Sequence, residues 1–267
     1  MKKIRLDVYL SGRGLSVSRE KARKEIISGW VRVNGETVRD PSRNIRESDD
    51  VKVERPGGIF VSRGGDKLKH ALTYFNITLE GMTAADLGAS TGGFTDCMLR
   101  AGAARVFSVD VGYGQLDYSL RTDPRVSVME RKNVRHLTGD DFDADVNFVT
   151  ADLSFISITR VFENIRELFP RASGVILIKP QFEAERSEHK KGVVRKAEIH
   201  VSILARVLAS LAEKGMVYRG LTFSPVKGPA GNIEFLLYFS MDDTGEPVKE
   251  FDDIVRPVVE EAHNKLG

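Results

Sequence analysis

The chain has 267 residues, 41% of them apolar, with 40 Lys and Arg against 38 Asp and Glu, one Cys and five His. A chain of this size buries roughly 70–75% of its unfolded surface, enough for one large core and a small satellite. A single cysteine excludes an internal disulfide, the histidines lack zinc spacing, and apolar runs of about five residues are too short to cross a membrane. Met1 is followed by Lys2, Lys3, Ile4 and Arg5 rather than by an apolar signal segment. The expectation is a reducing, cytoplasmic protein without a membrane partner.

Charge is unevenly placed. Residues 1–55 carry 14 Lys and Arg against 9 Asp and Glu, whereas the remainder is slightly acidic. A small basic unit of this kind is expected to meet a polyanion, most simply nucleic acid. Within it, Leu6, Val8 and Leu10 alternate as a strand would but also fit a short amphipathic helix with Ile4, ended by Gly12 and Gly14. Ser18 is placed to cap a second helix, stopped at Gly29, with Ala22, Ile26 and Ile27 inward and Arg19, Lys21, Arg23 and Lys24 outward. Val31, Val33 and Val38 around Asn34 and Gly35 signal a two-residue hairpin, and 50–54 closes the unit.

After Pro56, Gly57 and Gly58 the pattern alternates, with strands near 82–88, 104–110, 125–129, 146–151 and 173–179 and helical spacing over 156–168 and 196–214. That rhythm predicts an α/β fold: a mostly parallel sheet covered by helices on both faces. Segments 215–223 and 233–239 read as antiparallel strands at one edge. From 249 onward, Phe251, Ile254, Val255, Val258, Val259 and Ala262 fall at the spacing of a core-docking helix.

The segment 83–94 is the most informative. A short apolar strand ends in Asp86, a turn follows through Gly88, Ala89, Ser90, Thr91, Gly92 and Gly93, and a helix opens at Phe94. This is the pattern of a nucleotide-binding first turn, and Asp110, closing the next apolar run, is spaced to hold a ribose. A dinucleotide would bring its pyrophosphate against Asp86, whereas S-adenosylmethionine brings a sulfonium and an ammonium, so charge favours the methyl donor. Asp152 and Lys179 end two further apolar runs, at the sheet edge where open α/β folds bind ligands. Cys97 reads as a small core residue, and no metal is expected.

These residues resemble the TlyA family, known both as haemolysin A and as ribosomal RNA 2'-O-methyltransferase, whose catalytic domain is similar to FtsJ. The likeness runs through Arg5-Leu6-Asp7, Ser18-Arg19, 26–35, 61–68, 86–96, 152–156, 178–183, 192–195 and 224–234. It implies a Rossmann-like methyltransferase domain over 63–267, a linker at 56–62 and a small α+β RNA-binding domain of the alpha-L type over 1–55. It implies a tetrad of Lys67, Asp152, Lys179 and Glu234 acting on S-adenosylmethionine. It also implies a cofactor cradle of Asp86, 88–94, Asp110, Val111 and Asp152, with Asn133 and Val134 at the adenine. The RNA side would use Arg5, Arg13, Ser18, Arg19, Arg23, Lys24 and Arg63. The stretch 183–195 is too charged for core and follows Lys179, so Lys190, Lys191 and Arg195 are expected to meet phosphates.

The implied reaction is 2'-O-methylation of a cytidine ribose in ribosomal RNA or subunits. A lysine base must first lose its proton, which from a free value near 10.4 down to about 7–8 costs roughly 3–5 kcal/mol. Lys179 is therefore expected to act either as that base or as a group that orients the hydroxyl. The other readings are a non-catalytic ribosome-assembly factor, which would be free to lose the tetrad, and a haemolysin, for which the chain lacks a cationic amphipathic helix.

Overall fold

The computed structural model describes residues 3–27, 29–53, 60–189, 192–241 and 250–267. It divides into two compact units, with the boundary between residues 59 and 60. Most of the expected linker, like Lys190 and Lys191, lies outside the described residues.

The first unit contains β1 (Lys3–Arg5), α1 (Leu6–Gly12), α2 (Arg19–Ile27), β2 (Val31–Val33), β3 (Glu36–Val38), β4 (Asn44–Arg46) and β5 (Val51–Val53). Strands run β3-β2-β5 in one small sheet and β1-β4 in another. Asn34 and Gly35 both adopt positive φ, as a two-residue hairpin turn requires. The Ser18 hydroxyl accepts from the Lys21 N–H and so caps α2. Ile4 does not extend the first helix; it sits in β1 opposite Ile45, a strand whose single apolar residue gives no alternation to read. Ile27 is exposed, contrary to expectation, because Ala22 and Ile26 already define the inward stripe and Ile27 lies about 100° further round. Leu6, Leu10, Ala22, Ile26, Val31 and Ile45 build this unit's core.

The second unit follows in the order α3 (Gly64–Tyr74), β6 (Thr83–Leu87), α4 (Gly93–Arg100), β7 (Arg105–Asp110), α5 (Tyr118–Arg121), β8 (Val126–Glu130) and β9 (Phe148–Ala151). Then come α6 (Phe162–Leu168), β10 (Ser173–Ile178), α7 (Pro180–Glu183), α8 (Ala197–Glu213), β11 (Val217–Phe223), β12 (Phe235–Ser240) and α9 (Asp252–Leu266). Helix α6 begins later than its spacing suggests, because Ser157 caps a separate 3-10 turn over Ile158–Arg160.

These strands form one seven-stranded sheet in the order β11-β12-β10-β9-β6-β7-β8. All neighbours are parallel except at β12, which pairs antiparallel with both β10 and β11. Strand residues alternate between two cores. Ala85, Leu87, Phe107 and Ile176 pack under α6, α8 and α9, while Ala84, Val106, Phe148 and Leu177 pack under α3 and α4. The chain leaves β6 toward β7 and β8, then returns to β9 and β10 on the other side. That reversal opens a crevice at the carboxyl ends of β6 and β9. No helix among the described residues is long and apolar enough to cross a membrane.

Candidate active site

The turn after β6 is shaped by close backbone approach. Gly88 has φ +89°, and a Cβ there would lie 2.7 Å from the Asp152 carbonyl oxygen, which belongs to backbone and cannot give way. Gly93 meets the start of α3 in the same manner, its Cβ position being 2.8 Å from the Gly65 nitrogen and 3.1 Å from the Gly64 Cα. Two glycine surfaces thus let α3 lie directly on α4 and bring Lys67, three residues past Gly64, to the crevice.

Four charged side chains pair there. Lys67 Nζ donates to Glu234 Oε2 at 2.5 Å, with both groups buried. Lys179 Nζ lies 2.6 Å from Asp152 Oδ1 and donates to Ser154 Oγ at 2.9 Å. Asp152 follows β9 and Lys179 follows β10. Glu234 precedes β12, one step beyond the Ile178–Phe235 register pair, so it faces Lys179 across adjacent antiparallel strands. Burying charges singly would cost several kcal/mol each, and pairing lysine with carboxylate removes most of that penalty.

Asp86 lies deeper than a ligand-facing carboxylate. It is fully buried, on the α4 face of the sheet with Ala84, where Thr95 donates to Oδ2 at 2.7 Å and Thr150 to Oδ1 at 3.1 Å. Ser108 Oγ is 2.7 Å from Thr95 Oγ1, so the network ties β6, α4, β7 and β9 together beneath the glycine turn. Burial pushes the Asp86 carboxyl up to about 7, against the opposing hydrogen bonds from the two threonines.

The remaining turn residues hold themselves in place. The Gly88 and Ala89 N–H groups both donate to the Val109 carbonyl. Ser90, at φ +50°, donates its N–H to Asp110 Oδ2, and Gly112 donates to Asp110 Oδ1. Each Asp110 oxygen keeps a second lone pair, which suits a ribose diol. Val111, beside it, is 67% exposed, an apolar surface that an adenine would cover. Asn133 caps the 3-10 turn Val134–His136 by accepting from the Arg135 N–H. Val134 is buried, its carbonyl held by Asn164. The diol acceptor, the exposed valine and the glycine-lined turn fit S-adenosylmethionine, whose bound form supplies an electrophilic methyl on sulfur.

Spacing alone does not single out Ser154 and Phe155, yet both stand at the crevice. Phe155 is 92% exposed at φ +65°, with its ring 5.2 Å from that of Phe182. A non-glycine residue in the left-handed region carries strain, and a phenyl group so open to water has no folding reason to be there. The available signal is an aromatic three residues past a strand-ending aspartate, within the 152–156 likeness.

In the first unit, Arg5, Arg13, Arg19, Arg23 and Lys24 are exposed. Arg13 pairs with Glu47 and lies 5.7 Å from the Tyr9 ring centroid, and Lys24 pairs with Glu20. The Ser18 hydroxyl is engaged in its cap. In the second unit, Arg63 and Arg195 are exposed.

Residues 60–241 match the FtsJ-like methyltransferase model, and residues 4–51 match the S4 domain. YqxC of Bacillus subtilis is 44% identical over 270 residues, 99% of this chain and 96% of its own. The 16S/23S rRNA (cytidine-2'-O)-methyltransferase TlyA of Mycobacterium tuberculosis is 38% identical over 97% of this chain and 98% of its own. Hemolysin A of Brachyspira hyodysenteriae is 40% identical over 88% and 99%. A solved chain from Streptococcus thermophilus superposes with a TM-score of 0.78 at 39% identity, covering 99% of this chain and 97% of its own.

The raised Asp86 carboxyl has a measurable consequence. An unfolded chain loses this proton near pH 3.9, whereas the folded state retains it to about 7. Its contribution to stability is therefore fully present below about pH 4 and is lost as pH rises through about 7. Asp86→Asn is expected to flatten the fall in Tm over that window, measured by thermal melts at pH 5 and pH 7.5. An unchanged pH dependence in the variant would contradict the assignment.

Proposed function

Because the chain belongs to the FtsJ-like methyltransferase family and carries an S4 domain, we propose that it transfers the sulfonium methyl of S-adenosylmethionine to a ribose 2'-oxygen of ribosomal RNA. The target nucleoside in this reading is a cytidine, and the S4 domain supplies RNA affinity. The observation that carries the reading is the Lys179 environment at the carboxyl edge of the sheet.

A neutral lysine amine has two N–H donors and one lone pair. Ser154 Oγ accepts one N–H at 2.9 Å, and Asp152 Oδ1 lies 2.6 Å from Nζ as its ion-pair partner without accepting a hydrogen bond. A tetrahedral position of Nζ is then left for the ribose hydroxyl. With the amine neutral, the lone pair takes the hydroxyl proton as the oxygen–methyl bond forms and the carbon–sulfur bond breaks. With the amine protonated, its third N–H holds the oxygen in line, and the proton leaves to water. Lys67 and Glu234 form the second wall, a neutral pair that fixes the approach without repelling the RNA.

The donor methyl is already activated, so placement supplies much of the rate. Phe155 and Phe182 present exposed and part-exposed rings beside Lys179, a surface on which the base of an unstacked nucleotide can rest. Thr95, Thr150 and Ser108 hold the turn from below, so Asp86 supports the donor site from within the sheet rather than touching the sulfonium.

Lys179→Ala is expected to lower single-turnover methyl transfer by about 10²–10⁴-fold while leaving donor affinity within about twofold, because a positioned proton-handling group contributes on that scale. Quenched-flow assays with titration of the donor separate the two, and full activity would remove Lys179 from the chemistry. Phe155→Ala should instead raise KM for RNA, by roughly 5–100-fold if one base stacks on the ring, with donor affinity unchanged. An unaltered KM would place the base elsewhere.

A further inference from the structure

Two exposed arginines of the first unit, Arg5 and Arg19, converge on one buried carboxylate. Asp7 lies in the first turn of α1 and is fully buried, although the strand residue Arg5 just before the helix is exposed. Arg5 donates through Nε to Oδ1 at 3.1 Å and through Nη2 to Oδ2 at 3.0 Å. Arg19, twelve residues later at the start of α2, donates through Nε to the same Oδ2 at 3.1 Å. The Val8 N–H donates to Oδ1 at 2.9 Å, and the Asp7 N–H is held by the Pro41 carbonyl, so the carboxylate cannot rotate away. Both guanidiniums remain about half exposed. Each has five N–H donors, of which Asp7 takes two from Arg5 and one from Arg19.

Arg5 and Arg19 come from different elements, and a bidentate fork with a shared oxygen fixes their relative orientation. If the unit attracted RNA by charge alone, a buried carboxylate between two arginines would be a defect, because it cancels one of their two charges. We propose that Asp7 is a positioning residue for RNA capture: it holds the Arg5 and Arg19 guanidiniums side by side so that together they clamp a backbone phosphate. The inference rests on the reading of the S4 domain as the RNA-binding unit.

Charge and positioning predict opposite signs for Asp7→Asn. The substitution adds one positive charge, so a charge-only surface would bind RNA more tightly, with a salt dependence steeper by roughly one unit of slope. The positioning account predicts weaker binding, by about 5–20-fold, and a shallower slope, because a held phosphate contact is lost. The experiment uses the full chain, unmethylated small and large ribosomal subunits as probe, filter binding across a salt series, and thermal melts of every variant. The same substitution is made in an Arg5→Ala/Arg19→Ala background, where positioning predicts less than a twofold further change. Equal weakening in both backgrounds would mean that Asp7 only supports the fold, and tighter or unchanged binding would leave charge as the whole effect; either result overturns the proposal. If Arg5→Ala/Arg19→Ala binds as tightly as the parent, the RNA role of these arginines fails, and the proposal falls with it.

Discussion

Strand β12 runs against β10, and that single reversal determines what the crevice can do. In an all-parallel sheet every strand delivers its last residue to the ligand edge. A reversed strand delivers its first, so Glu234 arrives opposite Lys179 without any long connection across the site. The glycine contact between α3 and α4 adds Lys67 from the other side, 2.5 Å from Glu234. Two lysines and two carboxylates then occupy a largely buried space with no net charge, an arrangement compatible with both folding and the approach of a polyanion.

Beneath that edge the α4 face of the sheet is unusually polar. Asp86, Thr95, Ser108 and Thr150 form one connected network where neighbouring positions hold Ala84, Val106 and Phe148. A carboxyl group kept protonated to about pH 7 can donate as well as accept, and with Thr95, Thr150 and Ser108 it links β6, α4, β7 and β9 beneath the glycine turn. The two threonine hydroxyls and the serine satisfy polar atoms that would otherwise be costly to bury. Buried and protonated to about pH 7, Asp86 presents no charge to a ligand, so the expectation that its charge favours a sulfonium donor over a pyrophosphate does not hold in the fold.

Much of this was legible in the sequence where a charge follows an uninterrupted apolar run. Asp152 after 147–151 and Lys179 after 174–178 are strand ends on that ground alone, and the strands of the large sheet fall close to their expected positions. Lys67 and Glu234 are not legible in this way: one needs α3, whose glycine start shows no strong period, and the other needs the direction of β12. Ile4 and Ile27 were misplaced by local periodicity, because β1 pairs with a strand that carries one apolar residue and α2 is too short for a wide inward face. Phe155 is legible only as an aromatic three residues past Asp152; that it is exposed at positive φ is a matter only coordinates supply.

Lys179, held by Asp152 and Ser154, prepares a ribose 2'-oxygen to take the methyl group of S-adenosylmethionine. The most direct test incubates the protein with tritiated S-adenosylmethionine and unmodified 30S or 50S subunits, then maps the label to a nucleotide and to an atom. The account predicts label on the 2'-oxygen of a cytidine in one or both subunits. Label on a base, or none despite measured donor binding, would contradict it.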